Sequence, residues 1–248
     1  NNQISEVVSH NPRVGFTLWE LVNRHKESDA VQYSCSIIRG WGEASLDDEQ
    51  ILVLDLLKKL LPKMGQDEVS AVSFFLNRQI DGEKTTITAK TLQIMSDIAL
   101  QIWERYSSTF SASKDQQWQN DPVTYSLNCW PGKLAYFWMG RIRWRYRQEA
   151  DSWNGLDNLE KKMVRRFVDD GDFSPLVWTA LLTNINMLHS LDRENTESWL
   201  PDLMKKAGTK FIWNVMLPNP ILNIRLIDIA FYESCLDEFK YLSHLDDY

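Results

Sequence analysis

The sequence predicts an all-α protein, an irregular HEAT-like or solenoid-like array of about ten or more helices. Three observations carry that expectation. Glycine and proline number only 10 and 8 in 248 residues, too few for a turn-rich sheet protein. Apolar residues recur at three- and four-residue steps through most of the chain. The breaks between these periodic stretches are short and centre on pairs such as Asn-Pro, Asp-Gly and Pro-Gly. No strict internal repeat accompanies them.

Taken in order, the opening residues predict a short helix, a turn over His10 to Gly15, and a helix from Phe16 to His25 with Leu18, Leu21 and Val22 as its stripe. A helix over 30–38 should then end in Gly40-Trp41-Gly42, a glycine-bracketed aromatic plug. Ser45 begins a capping pattern in which Asp47 or Asp48 caps a central helix carrying Ile51, Leu52, Leu54, Leu56, Leu57, Leu60 and Leu61. Pro62 ends it. A helix over 66–79 buries Val69, Val72, Phe75 and Leu76, and Asp81-Gly82 turns the chain. The cleanest period lies over 88–106, where Leu92, Met95, Ala99, Ile102, Trp103 and Tyr106 align. The polar, serine-rich residues 107–120 are the candidate hinge in what otherwise reads as a single helical region, residues 1–248.

Residues 121–150 organise the rest, because they hold the densest aromatic cluster and the most concentrated basic charge. Pro131-Gly132 stops any preceding helix, and a new one should begin near Lys133. Spacing at about 100° per residue places Leu134, Phe137, Trp138, Ile142 and Trp144 on one face, with Tyr136, Arg143 and Arg147 opposite. Arg141 and Arg145 fall on the apolar side and should find carboxylate partners there. The arginines thus split between two faces instead of forming one phosphate-binding stripe. Three readings of this basic, aromatic segment stay open: inter-helix ion pairs, a protein-partner surface, and a platform for single-stranded nucleic acid. Trp130, Tyr136, Arg143 and Arg147 are the candidate partner-binding residues.

Farther along, a helix over 158–169 turns Leu159, Met163, Val164 and Phe167 inward and Lys161, Lys162, Arg165 and Arg166 outward. Ser174-Pro175 opens a long helix carrying Leu176, Val177, Ala180, Leu181 and Leu188. Three further helices centre on 197–206, 210–216 and 221–241.

A net charge of -7 and a pI near 5.2 argue against a dedicated nucleic-acid binder. Cys35, Cys129 and Cys235 are scattered and lack zinc spacing, which fits small core residues in a reducing cytoplasm. No apolar run reaches membrane-span length and no signal peptide is visible. His10, His25, His189 and His244 form no HExxH pair, and neither a phosphate-binding loop nor a GxSxG elbow occurs. His189 with Asp192 suggests an acid-base pair, against the plainer reading of a polar helix end facing water. The acidic groups at Asp169, Asp170 and Asp172, and at Asp246 and Asp247, lack calcium-loop spacing and read as solvated helix ends. No catalytic residue, metal or cofactor is expected, and the chain reads as non-enzymatic.

Several segments resemble the helical carboxyl-terminal region of large bacterial anti-phage defence proteins, whose amino-terminal effector is often a sirtuin-like NAD-hydrolysing domain. They are HNPRVGFTLWELV over 10–22, IIRGW over 37–41, IALQIW over 98–103, SLNCWPGKLAYFWM over 126–139 and WLPDLM over 199–204. The fourth is the most specific. It resembles an alanine-isoleucine-asparagine-histidine-proline-glycine-glycine-lysine-leucine run, with which Asn128, Gly132, Lys133 and Leu134 agree. Cys129, Trp130 and Pro131 depart from it and remove the histidine. The resemblance implies a cytoplasmic sensor or scaffold that senses infection, or controls and oligomerises an effector, through a phage protein or its own effector domain. The first residue is Asn1 and not methionine, and helical register runs almost to Tyr248, so the chain reads as an excised piece. Its missing amino-terminal part holds any catalytic activity, which the resemblance implies is NAD hydrolysis. The alternative is a nucleic-acid-binding module on the basic helix over 133–147.

Overall fold

The structure, a computed structural model, describes residues 2–25, 29–82, 86–107, 121–169 and 174–216, together with 225, 226 and 228. Thirteen α-helices and no strand occur among the described residues, as the sequence predicts. They fall into two compact units: residues 1–110 with 127–145, and residues 111–126 with 146–248. Most of the candidate hinge over 107–120 lies outside the described residues.

In the first unit, α1 (Asn2–His10) and α2 (Pro12–His25) are separated by Asn11 alone, so the helix starts at the proline and not at Phe16. Proline suits that first turn, where its missing N–H has no intrahelical acceptor to lose. The expected stripe of α2 is rotated: Leu21 is 45% exposed, and Gly15 and Trp19 face inward. A Cβ on Gly15 would stand 2.5 Å from the Trp41 indole nitrogen, so the glycine lets the α2 backbone lie on that ring. Trp41 completes the contact by donating its Nε1 proton to Pro12 O at 3.0 Å.

Helix α3 (Ala30–Glu43) runs straight through Gly40 and Gly42 and does not end there. The glycines serve approach, not termination. At Gly40 a Cβ would meet Val8 Cβ at 2.6 Å and Ser5 O at 2.7 Å, so only glycine lets α1 lie this close. Glycine inside a helix costs about 0.5–1 kcal/mol relative to alanine, and close packing of buried Val8 and Trp41 offsets it. The last carbonyls of α3 are capped from α5 (Gln66–Asp81): Gln79 Nε2 donates towards Trp41 O, Gly42 O and Ala44 O at 3.0, 3.1 and 3.0 Å.

Helix α4 (Gln50–Leu60) has no side-chain cap, and Asp47 instead accepts a bond from Ser45 Oγ. It is also less central than its composition suggests. Val53, Leu54, Leu57 and the following Leu61 are buried, whereas Leu52 is 57% exposed. Helices α5 and α6 (Ala89–Tyr106) match expectation, with Val69, Val72, Phe75, Leu76, Met95, Ala99, Ile102 and Trp103 fully buried. Thr88 caps α6 by accepting the Thr91 N–H. At its other end the Tyr106 hydroxyl shares its proton between Leu61 O and Met64 O, closing the turn after α4.

Two helices follow that the sequence reading merged or misplaced. Helix α7 (Pro122–Asn128) was not expected; Asp121 caps it through the Thr124 N–H at 3.0 Å, which holds the Asp121 carboxyl below its ordinary value. Helix α8 (Trp130–Glu149) starts at Trp130, with Pro131 inside its first turn. The Pro-Gly pair therefore begins this helix, and the break before it is Cys129.

In the second unit, α9 (Asn158–Asp169) opens on a reciprocal cap in which Glu160 N–H bonds Asp157 Oδ1 and Asp157 N–H bonds Glu160 Oε2. The expected long helix is divided at Asn184 into α10 (Ser174–Thr183) and α11 (Ile185–Leu191). Thr183 Oγ1 and Asn184 Nδ2 both donate to Ala180 O, competing with the backbone ladder there. Helices α12 (Arg193–Ala207) and α13 (Thr209–Met216) follow. Trp178 joins three of these elements: its Nε1 donates to Phe167 O at 2.9 Å, and its ring meets Phe211 edge-on. Most of the helix expected over 221–241 lies outside the described residues, as do Cys235, His244, Asp246 and Asp247.

Candidate functional site

The start of α8 is built from its own turn. Lys133 N–H donates to Cys129 O at 3.0 Å, and the Lys133 amine donates to Asn128 O at 2.9 Å, tying α7 to α8. As far as Ile142 the helix is buried nearly all round, because Ala135, Met139, Gly140 and Arg141 are enclosed along with the predicted Leu134, Phe137, Trp138 and Ile142. Trp144, expected on that face, is only half-buried.

The four candidate partner residues do not come together. Trp130 is 3% exposed and meets Trp103 edge-on at 6.1 Å, so it belongs to the core of the first unit. A surface role for its ring is thereby corrected. Tyr136 is half-buried, and Arg143 is partly exposed with Nη1 donating to Asp81 Oδ1 at 3.2 Å. Arg147 is exposed and lies in the second unit.

Arg141 is buried as its helical position predicts, but at Nε the expected carboxylate is replaced by a serine hydroxyl. Its Nε donates to Ser96 Oγ at 3.1 Å, and its guanidinium lies 5.5 Å from the Trp138 ring centroid. Ser96 can accept because its own proton goes to Leu92 O. Arg145 is half-buried.

His189 is not a water-facing helix end, and its partner is not Asp192. It is 6% exposed, and Nε2 lies 3.0 Å from Glu197 Oε1, which also faces Arg193 Nε at 2.9 Å and Arg225 Nε at 3.6 Å. These contacts, led by His189 and Arg193, hold the Glu197 carboxyl down to about 2. Asp192 instead caps α12 through the Asn195 N–H and pairs with Lys161. The knot joins α11 to α12. Asp169 is similarly engaged by Arg165 and Lys206, while 170–172 lie outside the described residues.

Sequence reasoning missed one convergence in the first unit. Phe74 on α5 is half-buried, and Arg78 Cζ and Lys133 Nζ each lie 5.8 Å from its ring centroid. Burial, and then the positive charge of Arg39, hold the Lys133 amine below its ordinary value. Phe74 and Arg78 lie on one helix and Lys133 on another far along the sequence, so no local pattern announces them. A shallow polar groove of about 600 Å³ lies elsewhere in this unit, lined by Asn2, Ser5, Glu6, Ser9, His10 and Glu43. No group of three His, Cys, Asp or Glu side chains placed to hold a metal occurs among the described residues. Nor is any described helix long and apolar enough to cross a membrane.

Comparisons with family models, curated proteins and solved structures find no match to this chain.

The charge is unevenly divided. The first unit balances fifteen basic with fifteen acidic side chains, so the whole net charge of -7 belongs to the second.

Proposed function

We propose that this chain is a non-enzymatic sensor or scaffold region of a bacterial anti-phage defence protein, acting in the cytoplasm through protein-protein contacts. It recognises infection, or controls and oligomerises an effector domain outside the chain. One observation carries the reading. Where polar side chains converge in the described residues, they cap helices and tie them together: Gln79 on the end of α3, Arg141 on Ser96, and Glu197 among His189, Arg193 and Arg225. Polar groups used in this way build a rigid helical surface, which suits recognition. The resemblance of the segments over 10–22 and 126–139 supplies the defence context.

The test is phage challenge of bacteria carrying the full-length protein, with Arg143→Ala and Arg147→Ala introduced separately. The reading predicts loss of protection in at least one variant at undiminished protein level. Full protection in both, and in the double variant, would remove this helix as the contact surface. Protection that survives them but is lost when a basic surface is neutralised, with nucleic acid bound, would favour the nucleic-acid alternative.

A further inference from the structure

One side of α1 walls the shallow groove of about 600 Å³ in the first unit. Asn2, Ser5, Glu6 and Ser9 stand three and four residues apart and share that face, while Val8 packs into the core. Glu43 on α3 also lines the groove, its carboxylate fixed by Arg78 at 2.9 and 3.1 Å. Hydrogen bonds within α1 decide what the groove offers. Ser9 Oγ and His10 Nδ1 each lie 2.8 Å from Glu6 O. A carbonyl oxygen only accepts, so both give it their protons; the hydroxyl keeps its lone pairs, and the neutral imidazole keeps a bare Nε2. The Glu6 carboxylate has no hydrogen-bond or ion-pair partner among the described residues. Acceptors and negative charge therefore line this groove. His10 and Glu43 are also the last residues of α1 and α3, where helix dipoles favour a cation.

A metal ion is the poorer complement, because Glu6, His10 and Glu43 are not placed to share one. Acceptors strung along a helix face suit a cation whose donors spread in a plane, a guanidinium and not a compact ammonium. A shallow groove does not enclose a free small molecule as small-ligand sites do, but it takes a side chain held in place by a larger contact. We propose that this groove binds the guanidinium of an arginine on a segment of a protein partner. The Glu6 carboxylate is its charge partner, and Ser9 Oγ and His10 Nε2 are further acceptors. The identity of the partner as a protein rests on the protein-contact reading above, while the guanidinium chemistry does not.

The test is fluorescence anisotropy of a labelled glycine-serine peptide bearing arginine, titrated with the 248-residue chain at low salt. Matched peptides carry lysine or neutral citrulline in place of the arginine, and free argininamide serves as competitor. The arginine peptide should bind, weaken as salt rises, and weaken roughly five- to tenfold in Glu6→Gln. Its binding should shift the amide resonances of Ser5, Glu6, Ser9 and His10. Asp55→Asn, which removes an exposed carboxylate outside the groove, should bind as wild type does. Glu6 is exposed, so its variant keeps the fold and the comparison stays valid. No binding at low salt, equal binding by Glu6→Gln, or equal binding of the lysine or citrulline peptide would overturn the proposal. So would free argininamide that binds as tightly as the peptide. Capture of a protein partner by the full-length protein is read separately. Capture unchanged by Glu6→Gln would remove this groove and leave the contact reading standing.

Discussion

Replacing Gln79 by leucine should cost the first unit about 2–4 kcal/mol. The side chain is buried, and its Nε2 group supplies two protons to three carbonyls at the end of α3. A helix end leaves its last carbonyls without intrahelical donors, so this one amide does the work that a C-cap turn does elsewhere. Leucine nearly conserves the volume, so packing changes little and the loss is mainly of hydrogen bonds. Trp41 O retains the Ala44 N–H at 3.3 Å, which leaves Gly42 O and Ala44 O as the carbonyls that lose this donor. Each buried carbonyl left without a partner costs about 1–3 kcal/mol, and partial hydration keeps the total near the lower half of the doubled range. Urea denaturation followed by tryptophan fluorescence measures the change, and amide exchange in α3 and α5 assigns it to this unit. A loss below about 0.5 kcal/mol, the level of an ordinary surface substitution, would refute the capping argument.

Other consequences follow from burial and charge. Trp130→Ala should destabilise by about 3–5 kcal/mol, as large aromatic deletions in a core do, whereas exposed Arg147→Ala should stay within about 0.5 kcal/mol; equal effects in thermal unfolding would contradict this placement. Glu197 contributes stability above the ordinary carboxyl value of 4.5, and that contribution is lost as pH falls towards its folded value of about 2. Glu197→Gln should therefore lower stability near neutrality and flatten the decline across that acid window, and an unchanged acid limb would count against the His189–Glu197–Arg193 knot. Removing the neighbouring charge with Arg39→Gln should raise the Lys133 pKa part of the way back, since burial remains the larger cause. Acylation of Lys133 at mildly alkaline pH, read by mass spectrometry, should then slow; faster or unchanged labelling would separate the two residues.

Much of the helical content was legible because period and cap agree. In α6 the apolar steps from Leu92 to Trp103 coincide with a Thr88 cap, and in α9 the inward Met163, Val164 and Phe167 follow an Asp157 cap. Errors cluster where a residue has two physical uses. Gly40 and Gly42 read as a helix stop, yet they admit neighbouring helices to α3. Pro131 reads as a break, yet it fits the first turn of α8. The stripe of α2 was misjudged because Trp19 and Gly15 follow the position of Trp41, a residue on another helix.

The site was harder to read than the fold. Trp130 looked like a recognition residue because tryptophans favour interfaces, but its partner Trp103 arrives from a distant helix and encloses it. His189 was matched to Asp192 by proximity in sequence, whereas the kink after α11 brings Glu197 to it instead. Phe74 and Lys133 are far apart in sequence and carry no shared motif, so only the packing of α5 against α8 brings them together.

The central claim is that this chain works by contact with another protein, and cross-linking capture from infected and uninfected bacteria tests it most directly. The full-length protein is recovered with and without nuclease, and both protein and nucleic acid in the cross-linked material are identified. The account predicts a phage protein, or the effector domain itself, joined to this chain and retained after nuclease treatment. Recovery of nucleic acid alone, with every protein cross-link lost on nuclease treatment, would contradict it.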